Sequence, residues 1–152
     1  MRQGMKKSTP RRLAVEILSR IELDDAYAEP LLDAALSGTE LPNPADRGLL
    51  TELVYGTLRT RGRLDWIIGE LYRGDAAALE TLVLNIIRTG LYQLQFTDRI
   101  PSFAAVNEAV GIARDLAPAA AGLVNAILRN ALRNKGAIAW PDLARDPEKA
   151  IA

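Results

Sequence analysis

Apolar residues along this chain recur every third or fourth position, the period of one buried helical face. A first helix begins at Thr9–Pro10, where Thr is a good N-cap and Pro is tolerated at the first helical position. Leu13, Ile17 and Ile21 form its stripe, with Ala14 and Leu18 beside them. A second helix lies near Ala26 to Leu36, with Leu32, Ala35 and Leu36 inward and Ser37–Gly38 as its stop. Asn43–Pro44–Ala45–Asp46 supplies a cap, a proline and an acid at the positive end of the helix dipole. Leu50, Leu53, Val54 and Leu58 continue that helix, and its interior Gly48 and Gly56 predict close approach by a neighbour. A break near Arg61–Gly62 leads to a shorter helix with Leu64, Ile67, Ile68 and Leu71. After the Gly74–Asp75 turn, the stretch from about Ala77 to Phe96 is apolar around most of its circumference, so it predicts the central helix of a bundle.

Asp98–Arg99 turns the chain, and Ile100–Pro101–Ser102 opens a helix with Val106, Val110 and Ala113 inward. Ala117–Pro118 interrupts it, because a residue before proline resists the helical conformation. A last helix from about Ala119 to Leu132 turns Leu123, Val124, Ile127 and Leu128 inward and stops at Gly136. Strand alternation, internal repeats and low-complexity tracts are absent from the sequence. The expectation is an all-α bundle of about six to seven helices. Its domain spans residues 9–135, between a basic N-terminus at 1–8 and a tail or linker at 136–152. In that tail Ile138, Trp140, Pro141 and Leu143 are the last candidate anchors, and its unfinished look predicts a fragment of a longer protein.

Composition narrows the chemistry. At 152 residues the chain fits one domain, with 49% apolar and 25% charged residues. It contains no cysteine and no histidine, which removes thiolate nucleophiles, zinc–thiolate sites and the commonest general base. No signal peptide and no apolar run of membrane-spanning length is present, so the expected location is cytoplasmic, with no membrane partner. The formal net charge is zero, from 19 basic and 19 acidic residues. Net charge hides distribution, however. Basic residues gather at Lys6, Lys7, Arg11 and Arg12, at Arg59, Arg61 and Arg63, and at Arg129, Arg133 and Lys135.

Three stretches carry a resemblance: ADRGLLTELVYGTLR at 45–59, continuing to RGRLD at 61–65; IPSFAAVNEAV at 100–110; and GLVNAILR at 122–129. Together they resemble the NusB-like helical domain, over roughly residues 9–134. VYGTLR and VNAILR are similar to the version at the N-terminus of the Sun/Fmu family of 16S rRNA cytosine-5 methyltransferases. The free-standing antitermination factor NusB tends to have an acidic residue where Arg129 stands. The resemblance implies an RNA-binding domain that positions 16S rRNA for its own C-terminal methyltransferase domain. Those enzymes hold S-adenosylmethionine and their reactive cysteines in that C-terminal domain. The present chain has no cysteine and no strand–helix glycine loop, so it is expected to carry no catalytic residue, metal or cofactor of its own.

The candidate RNA contacts are Lys6, Lys7, Arg11, Arg12, Arg59, Arg61, Arg63, Arg129 and Arg133. Arg59 and Arg63 share a face if the helix continues between them, and Glu52 is an internal alternative partner for Arg59. Asn107, Glu108, Asn125 and Arg129 fall inside the motifs, but polar residues on apolar helices usually tie helices together. Tyr55, Tyr72 and Tyr92 could stack on bases, and at these positions core or rim packing is the commoner outcome. Asp24, Asp25, Glu29 and Asp33 fit no calcium loop and read as a solvated acidic face. Two other functions stay open: a free-standing transcription antitermination factor, and a docking domain that never touches RNA. A homodimer is also possible.

Overall fold

Thr9 caps the first helix as its position predicts: its Oγ1 accepts the Arg12 N–H at 3.2 Å. Helix α1 (Pro10–Asp24) then runs until Asp25, whose φ of 52° places it in the left-handed region that ends helices. The computed structural model describes residues 8–135, so Lys6, Lys7, Ile138, Trp140, Pro141 and Leu143 lie outside the described residues. α2 (Ala28–Ser37) stops at Gly38, and Arg47 donates to the Leu36 carbonyl at 2.6 Å, satisfying an acceptor that the helix end leaves open. α3 (Pro44–Arg59) starts on Asn43, whose side chain accepts from the Ala45 N–H at 2.8 Å. α4 (Arg61–Leu71), α5 (Thr81–Phe96), α6 (Ser102–Leu116) and α7 (Ala121–Arg133) complete seven α-helices among the described residues, and these contain no strand.

Three helix starts differ from the periodicity, the first being α2, which begins at Ala28 rather than near Ala26. The central helix starts at Thr81 rather than near Ala77, because Asp75 caps a separate single turn of 3-10 helix, Ala76–Ala78, by accepting the Ala77 N–H at 3.0 Å. Likewise Pro118–Ala120 forms its own 3-10 turn before α7.

α5 packs against α1, α3, α4, α6 and α7. Its residues Ile86, Ile87 and Leu91 are completely buried, alongside Leu50 and Leu53 of α3, Leu64 of α4 and Leu128 of α7. Burying each such side chain contributes roughly 1.5–3 kcal/mol. Gly56 meets its expectation: a Cβ there would collide with the Tyr92 ring of α5. Gly48 does not, since a Cβ would meet nothing within 4 Å.

Of the polar residues buried in this core, the charged one is Arg88 of α5, whose side chain is 5% exposed. Its fork grips Asp65 of α4, Nε to Oδ1 at 2.7 Å and Nη2 to Oδ2 at 3.1 Å. Nη1 donates to Glu22 of α1 at 2.9 Å and to Asn85 at 3.1 Å. Asn85 in turn donates to Ser19 of α1 at 3.2 Å. Arg61 flanks both carboxylates, 3.5 Å from Glu22 and 3.8 Å from Asp65.

Two stability predictions follow from this packing. Asp65→Ala strips the buried guanidinium of its bidentate partner and should lower unfolding free energy by about 3 kcal/mol. Arg88→Met should cost less, because the two carboxylates it releases reach water. Urea midpoints of the two variants check the order, and an Asp65→Ala protein as stable as wild type would refute it. Gly56→Ala should destabilise by about 1–3 kcal/mol by displacing Tyr92. Gly48→Ala should stabilise by roughly 0.5–1 kcal/mol through helix propensity alone. Opposite shifts in melting temperature are the expected readout.

Candidate nucleic-acid interface

The structure divides the predicted RNA contacts by what their charges already meet. Arg11 is drawn into the fold: its Nε donates to Gln93 of α5 at 2.7 Å, its Nη1 sits 3.8 Å from Glu108 of α6, and its side chain is 17% exposed. Arg12 lies 3.6 Å from both Glu16 and Asp115. Arg61 serves the Arg88 cluster. Each of these three arginines therefore has carboxylate neighbours that compete with any phosphate.

Arg59, Arg63 and Arg133 are exposed, and their side chains form no hydrogen bond or ion pair among the described residues. Arg59 and Arg63 do not share a continuous helix. Thr60 interrupts it, with φ −104° and ψ 11°, while its N–H and its hydroxyl both donate to the Gly56 carbonyl, at 3.0 and 2.7 Å. Glu52 holds Arg99 at 2.7 Å instead of Arg59.

Arg129 stands at the edge of a groove between α6 and α7, of about 400 Å³, lined by Asn107, Val110, Arg114, Gly122, Asn125 and Arg129. Asn107, Val110 and Arg114 are spaced three and four residues apart, so they share one face of α6. The neighbouring face of that helix carries Glu108 and Asp115, which turn to Arg11 and Arg12 of α1. On α7, Asn125 Oδ1 accepts from Arg129 Nε at 2.9 Å. Arg133 follows one turn later. The charged residues lining the groove are both arginines, and no acid lines it among the described residues.

Arg114 was not among the sequence candidates. Its signal was the spacing from Asn107, a motif residue, but that spacing marks a helix face only once the neighbouring face is known to be occupied. Among the motif's polar residues, Glu108 ties α6 to α1, whereas Asn125 bonds within its own helix. Tyr92 is buried and stacks on Phe96 at 5.6 Å, while Tyr55 is 42% exposed on α3. No group of three or more His, Cys, Asp or Glu among the described residues could hold a metal ion. No helix among them is long and apolar enough to cross a membrane. A second concavity of about 270 Å³ beside Ile68, Ala76 and Leu84 is mostly apolar, and its charged members, Asp65 and Arg88, already hold each other.

Residues 8–133 match the model of the NusB family. The chain is similar to a protein named probable ribosomal RNA small subunit methyltransferase B from Bacillus subtilis, 35% identical over 97% of this chain and 32% of that protein. It is 38% identical to ribosomal RNA small subunit methyltransferase B of Pseudomonas syringae, over 91% of this chain and 30% of that protein. A putative methyltransferase of Mycobacterium tuberculosis is 37% identical over 90% of this chain and 31% of its own length. The chain thus spans about a third of the length of these relatives.

Proposed function

The chain belongs to the NusB family, and from that premise we propose that it is the RNA-holding, substrate-positioning N-terminal domain of an rRNA cytosine-5 methyltransferase. Chemistry belongs to a C-terminal domain that binds S-adenosylmethionine. The described residues form no strand-to-helix glycine loop, so they do not fit that cofactor. The domain's part is electrostatic positioning. Phosphate contacts of this kind orient a substrate without reading its sequence.

The observation that carries this reading is the set of exposed arginines without a carboxylate partner. Arg59 and Arg63 flank the break between α3 and α4, and Arg129 and Arg133 line α7. Arg suits phosphate better than Lys because its planar fork can bond two oxygens at once. The names of the relatives, all methyltransferases, and their threefold greater length support this reading over a free-standing antitermination factor. So does a basic residue at Arg129. The internal pairing of Arg11, Arg12 and Arg61 favours a second reading, in which the domain only docks the catalytic domain.

Titration of a labelled 16S rRNA fragment at several salt concentrations separates the two. The RNA-holding reading predicts affinity that falls steeply with salt, with a slope of roughly 0.7–0.9 per phosphate contact. Replacing Arg59, Arg63, Arg129 and Arg133 together with Gln should weaken binding at least tenfold and flatten that slope. Binding that ignores salt and survives the quadruple change would leave the docking reading in place.

A further inference from the structure

We infer that the groove between α6 and α7 seats one phosphodiester unit of single-stranded RNA, gripped by Arg114 and Arg129. This rests on the RNA-holding reading above and adds to it a bounded site and a residue, Arg114. The chain has equal numbers of acids and bases, so a concave surface containing two arginines and no carboxylate is a local excess of positive charge.

The excess has a structural cause. Glu108 and Asp115 are one and eight residues beyond Asn107, close enough on α6 to border the groove. Instead Arg11 and Arg12 hold them on the side facing α1. Those two arginines act as positioning residues for the site. They draw acid away from it, and Arg114 has no carboxylate partner among the described residues.

The ligand class follows from size and donors. Arg129 is oriented through its Nε by Asn125 Oδ1, which leaves its two Nη ends for an anion. Asn107 and Asn125 add amide N–H donors to the same lining. A groove of about 400 Å³ lies within the range of pockets that hold small ligands, so it fits a nucleotide. A splayed single strand can present that unit, whereas a duplex offers its phosphates on a broad convex face. Gly122 keeps the groove floor open, and a Cβ there meets no atom within 4 Å.

The test uses the full chain with a short fluorescein-labelled single-stranded RNA of mixed sequence, read by anisotropy at several salt concentrations. Arg114→Gln should weaken binding about fivefold to tenfold and reduce the salt slope by roughly 0.7. Gly122→Leu, which projects into the groove without crowding the fold, should weaken binding as much while leaving the melting temperature unchanged or raised. Arg73→Gln removes the same charge from the exposed turn after α4 and should change affinity less than twofold. Arg11→Gln should weaken binding by releasing Glu108, and Arg11→Gln combined with Glu108→Gln should recover it. If Arg114→Gln weakens binding no more than Arg73→Gln, or Gly122→Leu binds as wild type does, the groove inference fails while the RNA-holding reading stands. If wild type does not bind the probe at all, both fail.

Discussion

The bundle is organised around one buried guanidinium. Taking Arg88 out of water is expensive, and its cost is offset only because Asp65, Glu22 and Asn85 reach its donors together. That requirement fixes where α1 and α4 sit against α5, since a shift of either helix by a turn would strand a charge inside the protein. Apolar packing by itself tolerates such shifts, because one leucine face fits another in several registers. The charged cluster selects one arrangement. Asn85 extends it to Ser19, so α1 is held at two successive turns, through Ser19 and Glu22.

Once α1 is held there, its N-terminal half is committed as well. Arg11 and Arg12 lie about three turns before Glu22 and meet α5 and α6 through Gln93, Glu108 and Asp115. The buried Gln93 takes the Arg11 Nε bond, and the two acids partly neutralise the rest. A cluster that the sequence presents as a solvated basic arm becomes, from Arg11 onward, a clasp between three helices. Exposed ion pairs of this length contribute little stability each. Their larger effect is on where negative charge is placed on the surface.

Much of the fold was legible in the sequence because helix signals are local. Thr9, Asn43 and Gly38 cap or stop helices where the pattern indicated, and the apolar stripes marked the buried faces. The errors also have local causes. The run of alanines at 76–78 carries no signal separating a 3-10 turn from the first turn of a long helix, so periodicity places the start of α5 too early. Gly48 and Gly56 look alike in sequence, and only the position of Tyr92 distinguishes them. The site was less legible for a different reason. Arg11, Arg59 and Arg114 are the same residue type on polar helix positions, and what separates them is the partner each finds across the bundle. Glu52 choosing Arg99, and Glu108 choosing Arg11, depend on helix placement that no periodicity encodes.

The same dependence explains how a chain of zero net charge can present a surface suited to a polyanion. Charge balance over the whole chain limits long-range attraction, and salt screens it beyond a Debye length of about 8–10 Å. Recognition at contact distance depends on which charges remain unpaired at one place. In this bundle two carboxylates are spent on the buried arginine and two more on the α1 clasp. Arg59 and Arg63 at the α3–α4 break and the two arginines of the α6–α7 groove are left exposed without a carboxylate partner among the described residues. The interior constraint at Arg88 and the exterior charge pattern are thus linked: the first sets the position of α1, and α1 decides which acids of α6 are withdrawn from the groove.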